Sequence, residues 1–248
     1  MTPLARIPFE SNHLHSMLLD EPASGEQSAE PPGLKLLTIR AADSAGHRSS
    51  AHVLVNRMYA ERGYSSTPLA DAPPQGRITL IGTDHEVARG TMTIGFNGSQ
   101  PLLADECFRD VLDGLRREGF VLCEFIKLAI DGVGRSRRVL ASLFHTAFIY
   151  AHEIKGCDRI VIEVNPRHVR FYKEMLGFSV LAGERLNLRV NAPAVLLSLD
   201  LSYAERQILR VRGEAPEKVG TRRSLYRHCF SHEEAVGIVR RLRQRESL

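Results

Sequence analysis

Residues 121–144 read VLCEFIKLAIDGVGRSRRVLASLF, and this stretch constrains the fold more than any other. An apolar run of strand length ends at Asp131. Gly132, Gly134, Arg135, Arg137 and Arg138 follow, and an apolar run at helical spacing then begins. A strand that passes through a glycine turn into a helix N-terminus forms an anion cradle, because unpaired main-chain N–H groups and the positive end of the helix dipole point at the turn. Glycine lets the backbone come close to a ligand, and arginine adds charge-assisted donors suited to phosphate. The spacing matches neither the dinucleotide fingerprint nor the P-loop, since no third spaced glycine and no Gly-Lys-Ser/Thr follows. An ordinary turn with solvated arginines fits the same residues.

The rest of the chain sets this junction inside a layered α/β domain. LKLLTIRAAD (34–43) predicts a first strand. SSAHVLVNRMYAERGY (49–64) predicts a helix capped by Ser49 or Ser50, with Ala51, Leu54, Val55 and Met58 along one side. Residues 77–98 read as two strands around a polar turn at Thr83–Glu86, and residues 121–130 as a fourth strand. Between them, Phe108, Val111, Leu112 and Leu115 form a helical stripe with Asp105 as the expected N-cap. Leu140, Leu143, Phe144, Ala147, Ala151 and Ile154 place a long helix that stops at Gly156. DRIVIEV (158–164) is a fifth strand, and Val169, Tyr172 and Met175 lie on a short helix ended by Gly177. FSVLAGERL and AVLLSLDL close the sheet. This order predicts one mixed domain over residues 34–205.

Two flanking segments differ in charge. Residues 1–33 carry one Lys or Arg against five Asp or Glu and predict a disordered acidic arm; residues 206–248 carry eleven against five and predict a basic, partly helical extension. The chain as a whole, 43% hydrophobic and 25% charged, has a soluble globular composition. No apolar run approaches the ~20 residues of a membrane span, and no signal-peptide core is present, so a cytoplasmic location is expected. Cys107, Cys123, Cys157 and Cys229 are scattered and are expected as reduced thiols.

VNPRHVRFYKEMLGF (164–178) places Asn165 at a strand end and Tyr172 seven residues on, and here the chain resembles the GNAT acyltransferase superfamily. LLADECFRDVLDGLRREGFVLCEFIKLAID, NRMYAERGY and GTMTIG narrow the resemblance to the N-acyl amino acid synthases. The related acyl-homoserine-lactone synthases share a Glu-x-x-Arg on the fourth strand, whose positions Glu124 and Lys127 occupy here. The resemblance spans about residues 34–202. It implies a mixed, mostly antiparallel central sheet of about seven strands flanked by helices, splayed between strands 4 and 5 so that the pantetheine arm of an acyl thioester can enter. It also implies donor binding by Leu128, Ala129, Ile130, Gly132, Gly134, Arg135, Ser136 and Asn165. DGVGRSRR departs from the Arg/Gln-x-x-Gly-x-Gly/Ala run of acetyl-CoA users. By resemblance that favours an acyl chain on acyl carrier protein, with a CoA thioester as the alternative and no further cofactor. Such carriers are acidic, and Arg135, Arg137 and Arg138 are expected to dock one, with Arg116 and Arg117 as additional candidates.

Making an amide from a thioester needs an unprotonated amine, a stabilised oxyanion and a protonated leaving thiol. Glu124 is the candidate general base; a strand carboxylate paired with an arginine is the other reading. On a regular strand Glu124 and Lys127 face opposite sides, so both serve one catalytic site only if a bulge intervenes. That bulge would free a backbone N–H near Leu128–Ala129 for the oxyanion. Tyr172 is a candidate proton donor to the thiolate or a core tyrosine, and Asn165 binds a pantetheine amide or closes the strand end. The acceptor carboxylate needs a cation, for which Arg57, Arg89 and Lys127 are available. VLASLFHTAFIYA (139–151), apolar on more than one face, suits an acyl-chain wall or a core helix. The pairs His228/His232 and His145/His152 lack partners at ligand spacing, so no metal is expected.

The expected activity is N-acyl transfer of a long chain from acyl carrier protein, or CoA, to the α-amine of an amino acid. Homoserine-lactone synthesis and a non-catalytic GNAT-like binding module are the alternatives. Only Tyr226 and Phe230 interrupt the charge of the C-terminal segment, too few for base stacking, so no nucleic-acid partner is expected. A peripheral membrane contact through that basic tail stays an alternative.

Overall fold

The computed structural model describes residues 4–9, 35–64, 75–84, 86–98, 100–131, 137–213 and 224–246. Its strands are β1 (Ala5–Phe9), β2 (Lys35–Ala41), β3 (Arg77–Asp84), β4 (Val87–Phe96), β5 (Leu122–Ile130), β6 (Arg159–Val164), β7 (Ser179–Asn187) and β8 (Ala192–Asp200). They form one sheet in the order β1-β2-β3-β4-β5-β6-β8-β7. Every neighbouring pair is antiparallel except β5 and β6, which run parallel. The helices are α1 (Ala45–Ala60), α2 (Asp105–Arg117), α3 (Arg137–Phe148), α4 (Val169–Leu176), α5 (Leu201–Gly213) and α6 (His232–Glu246).

The seven predicted strands are β2 to β8, and the sheet is mixed and mostly antiparallel as expected. β1 is an addition. It lies within the segment read as a disordered arm, yet Ala5–Phe9 pairs with β2, and Leu4 is buried with its N–H bonded to Ile39 O at 2.7 Å. A five-residue edge strand is too short for its period to stand out beside the Pro- and Glu-rich run that follows. Residues 1–3 and 10–33 of that arm lie outside the described residues.

Helix caps correct two details. α1 starts at Ala45, earlier than predicted, because Ser44 rather than Ser49 or Ser50 accepts the N–H of His47 at 3.1 Å. Ala51, Leu54, Val55 and Met58 are its buried residues, as the spacing required. In α2, Ala104 stands at the cap and Asp105 is the first helical residue; its carboxylate instead accepts the N–H of Leu102 at 2.9 Å and two bonds from Arg116. α4 ends as read, at Gly177 with φ 78, where a Cβ would also meet the Tyr203 ring at 2.5 Å.

α3 is the central helix of one face. Every residue from Val139 to Phe148 is buried, and the helix widens into a π turn over Ile149–Ile154 before Gly156. Such all-round burial needs cover on several sides, and the C-terminal segment supplies part of it. Ile208 of α5, Leu225 and Tyr226 of a 3-10 turn (Leu225–His228), Phe230, and Ile238 and Leu242 of α6 belong to the same core as the sheet. The predicted boundary near residue 205 therefore falls within α5, and the described part of the basic extension packs into the domain. α6 also reaches the N-terminus, where Arg241 donates to Leu4 O.

One contact fixes this cover from inside. His145 of α3 is 2% exposed; its Nδ1 accepts the N–H of Phe230 at 2.9 Å, and its ring stacks on Phe230 with centroids 4.9 Å apart. Burial, helped by the charge of Arg212, holds the imidazole pKa down to about 3. Below pH 6.5 the unfolded chain therefore binds a proton that the folded chain refuses until about pH 3. This contribution to stability is complete above pH 6.5 and is lost at about 1.4 kcal/mol per pH unit as the pH falls. His145→Gln, which retains an acceptor without a titrating ring, is expected to lessen the acid dependence of the unfolding free energy by about one proton. Equal slopes for the two proteins in urea titrations below pH 6.5 would contradict the buried neutral latch.

Candidate active site

The site begins where β5 and β6 part. Their parallel ladder holds only three pairs, Leu122↔Arg159, Cys123↔Ile160 and Glu124↔Val161. Both strands continue, β5 to Ile130 and β6 to Val164, without further pairing between them. The expected splay is therefore present, between the fourth and fifth of the predicted strands. Past Glu124 no strand among the described residues pairs with the open side of β5, whose main chain offers donors and acceptors there.

A bulge re-aims β5 just beyond the split. Against β4, Ile126 pairs with Thr93 and Ala129 with Thr91, so Lys127 and Leu128 together face the single residue Met92. Lys127 takes a left-handed conformation with φ 52, which costs a residue with a Cβ on the order of 1 kcal/mol. The bulge reverses the alternation. Ala129 packs toward Leu54, Val55 and Met58 of α1, while Leu128 and Ile130 pack toward the core that contains α3. The charges of Arg77 and Arg189 act on Lys127 as they do on Glu124.

Glu124 does not present the free oxygen expected of a general base. Its side chain is 1% exposed. Oε1 accepts the N–H of Leu103 at 2.9 Å, Oε2 accepts the N–H of Ala104 at 3.1 Å, and Arg77 Nη2 lies 3.7 Å from Oε1. Burial raises its pKa, against the pull of those two N–H groups and Arg77. The carboxylate thus anchors the turn that starts α2, close to the paired-carboxylate alternative. Gly95 of β4 makes room for it, since a Cβ there would fall 2.7 Å from Glu124 Oε1.

Three charged residues that the sequence did not single out complete this face. Glu163, two residues past the last ladder pair on β6, is 7% exposed and accepts from Arg189 and, at 3.1 Å, from Asn187. Arg189 also pairs with Glu106 at 3.0 Å. Arg77, 21% exposed, stands at the start of β3. Their spacing in sequence carried no motif; only the register of β3, β5, β6 and the β7–β8 turn joins them.

Lys127 is the exception in this group. It is half-buried, and among the described residues it has no hydrogen-bond or ion-pair partner. Burial lowers its pKa, and the like charges of Arg77 and Arg189 lower it further. Tyr172 also has no partner for its hydroxyl among the described residues. Its ring packs against Phe144, Phe171 and Phe178, and burial, with a smaller effect from Tyr59 of α1, raises its pKa well above that of a free phenol.

Other expected site residues are engaged elsewhere. Arg57 and Arg89 each reach Asp131 at 3.2 Å, and Arg89 also lies 3.5 Å from Asp84; they clamp the end of β5 instead of standing ready for an acceptor carboxylate. Asn165 accepts the N–H of Arg167 at 3.3 Å and caps the 3-10 turn Pro166–His168, the strand-closing alternative. Arg116 is held by Asp105, Asp113 and Asn97. Arg137 and Arg138 begin α3 and, with Arg227, press down the pKa of His228, after burial as the main cause. Gly132, Gly134, Arg135 and Ser136 lie outside the described residues.

On the α3 side of the split an apolar cavity of about 20 Å³ opens beneath Phe125, the first residue of β5 past the ladder. Polar groups therefore gather on one face of the parting strands and apolar walls on the other.

Comparison with known proteins agrees with this geometry. The family profile of N-acyl amino acid synthase FeeM matches residues 50–200. A solved structure of FeeM, an N-acyl amino acid synthase from uncultured soil microbes, is 28% identical with a TM-score of 0.62, over 68% of this chain and 93% of that chain. The AHL synthase LasI, 14% identical with a TM-score of 0.51 over 67% of this chain and 91% of that one, shares the fold. So does ElaA of Escherichia coli, 8% identical with a TM-score of 0.51 over 66% of this chain and 99% of that one. A search of curated proteins gave no significant match.

If Glu124 anchors main-chain amides, its replacement must cost stability. Glu124→Gln puts an amide NH₂ where one of two N–H donors now finds an acceptor, and is expected to lower the unfolding free energy by about 1–3 kcal/mol. An unchanged midpoint and slope in denaturant would contradict the anchor.

Proposed function

The chain belongs to the N-acyl amino acid synthase FeeM family, and from that premise we propose that it transfers a long acyl chain from the thioester of an acyl carrier protein to the α-amine of an amino acid. The observation that carries the proposal is the parting of β5 and β6 after Glu124 and Val161. A pantetheine arm is narrow, carries amides and needs main-chain partners, which the open side of β5 offers.

In this reading the thioester carbonyl lies at the bulge, where main-chain N–H groups outside the β4 ladder act as oxyanion donors. The acceptor approaches from the polar face, its carboxylate drawn to Arg77, which takes the place expected of Arg57 and Arg89. Lys127 is the base. Burial, and after it the like charges of Arg77 and Arg189, lower its pKa and so favour its neutral form, and a neutral amine takes a proton as the acceptor nitrogen attacks. The carbon–nitrogen bond forms, the carbon–sulfur bond breaks, and the thiolate leaves beside the Tyr172 hydroxyl. A phenol whose pKa is raised stays protonated and donates a hydrogen bond to it.

The carrier docks on cations near the mouth. Arg137 and Arg138, with Arg227 brought near by the C-terminal turn, supply part of that charge; Arg135 is placed with them by sequence alone. Attraction of this kind speeds encounter more than it tightens the complex. Among the described residues no helix is long and apolar enough to cross a membrane.

Two measurements test the assignment. Purified protein given acyl carrier thioesters and mixed amino acids is expected to yield N-acyl amino acids by mass spectrometry; their absence, or a homoserine lactone in their place, would contradict it. Wild-type kcat is expected to rise with pH as Lys127 loses its proton and to level off above its lowered pKa. Lys127→Met is expected to lower kcat about 10²- to 10⁴-fold and remove that limb. A higher KM with kcat and its pH profile intact would make Lys127 an anchor instead of a base.

A further inference from the structure

The family match ends at residue 200, yet the core around α3 does not. The cavity beneath Phe125 is walled on one side by Phe125 and Phe144, which lie within the matched region, and on the other by Ala204 and Ile208 of α5 and Leu225 and Tyr226 of the 3-10 turn. Its walls present no polar atoms, so it repels water and suits hydrocarbon. Its volume of about 20 Å³ holds roughly one water-sized group, the size of a chain terminus. Protein interiors rarely leave such gaps, and this one lies where the two strands separate.

We infer that the C-terminal segment, through α5 and the turn Leu225–Phe230, forms the end wall of the acyl chamber and sets the longest chain the protein accepts. The inference rests on the acyl-transfer reading above and adds a specificity determinant outside the matched region. The occupant of the cavity is the terminal carbon of the acyl chain, which enters between the parted strands and runs along the Phe125 and Phe144 rings, which pack against each other with centroids 5.8 Å apart.

Ala204 and Ile208 are one helical turn apart on α5 and face the cavity together. A small residue beside a large one gives a wall that one substitution can move in either direction. The wall is also fixed, as a ruler must be. The Tyr226 hydroxyl donates to Leu176 O at 2.7 Å, Phe230 N–H donates to His145 Nδ1 at 2.9 Å, and Arg212 Nη2 donates to Phe230 O at 3.0 Å. These bonds tie the turn to α4, α3 and α5, so a longer chain cannot simply push it aside.

The test compares binding of acyl-pantetheine thioesters of graded length, butyryl to palmitoyl, by calorimetry on the full chain, with product chain lengths read in parallel. Ile208→Ala and, independently, Leu225→Ala are expected to move the optimum to longer chains. Ala204→Val is expected to move it to shorter ones. Preference should change by about fourfold per methylene admitted or refused, the worth of burying one CH₂. Ratios between chain lengths within one protein are the readout, so a general loss of affinity does not imitate the effect. The same optimum in wild type and in all three variants overturns the inference, even with acyl amides still formed. Shifted binding optima without any amide product would support the end wall and overturn the transfer reading.

Discussion

The short ladder between β5 and β6 governs the rest of this structure. Three pairs hold the strands together up to Glu124 and Val161, and then each goes its own way. A sheet that parts at its middle exposes main-chain groups that would otherwise be paired, so the split must be held open by packing on both faces. α3, buried from Val139 to Phe148, fills one side. On the other, the turn before α2 is bound to the Glu124 carboxylate through two N–H groups.

The split also explains why charge and hydrocarbon separate so sharply here. Alternation along a strand sends successive side chains to opposite faces, so Glu124 and Glu163 meet the arginines while Phe125 meets Phe144. The bulge at Lys127 shifts that alternation by one residue and brings a lysine to the carboxylate face. In a regular strand the same lysine would point to the α3 side, among aromatic rings. The left-handed backbone at Lys127 is the local distortion that carries this shift, and among the described residues the lysine has no hydrogen-bond or ion-pair partner.

Much of the fold was legible in the sequence because periodicity reports burial. The stripe of Ala51, Leu54, Val55 and Met58 gave α1 its inward face, and Gly177 marked the end of α4 through a conformation that other residues take with strain. The bulge was legible for a different reason: Glu124 and Lys127 could share a face only if the strand slipped between them. What periodicity could not show was partnership. Arg57 and Arg89 look like available cations until Asp131 is placed between them, and Glu124 looks like a base until Leu103 and Ala104 are placed against it. Arg77, Glu163 and Arg189 escaped notice because their proximity depends on strand order. The C-terminal segment was read by its charge, although Leu225, Tyr226, Phe230 and Leu242 carry its contribution to the core. Those apolar residues are too widely spaced among arginines to form an evident stripe.

If a thioester arm threads between the parted strands, a crystal structure with a non-hydrolysable acyl-pantetheine thioether will show it there. Pantetheine amides are then bonded to the main chain of β5 beyond Glu124, with the acyl chain passing Phe125 toward α5. A ligand bound elsewhere, with the space between Phe125–Ala129 and Ile162–Val164 closed by side chains, would contradict it.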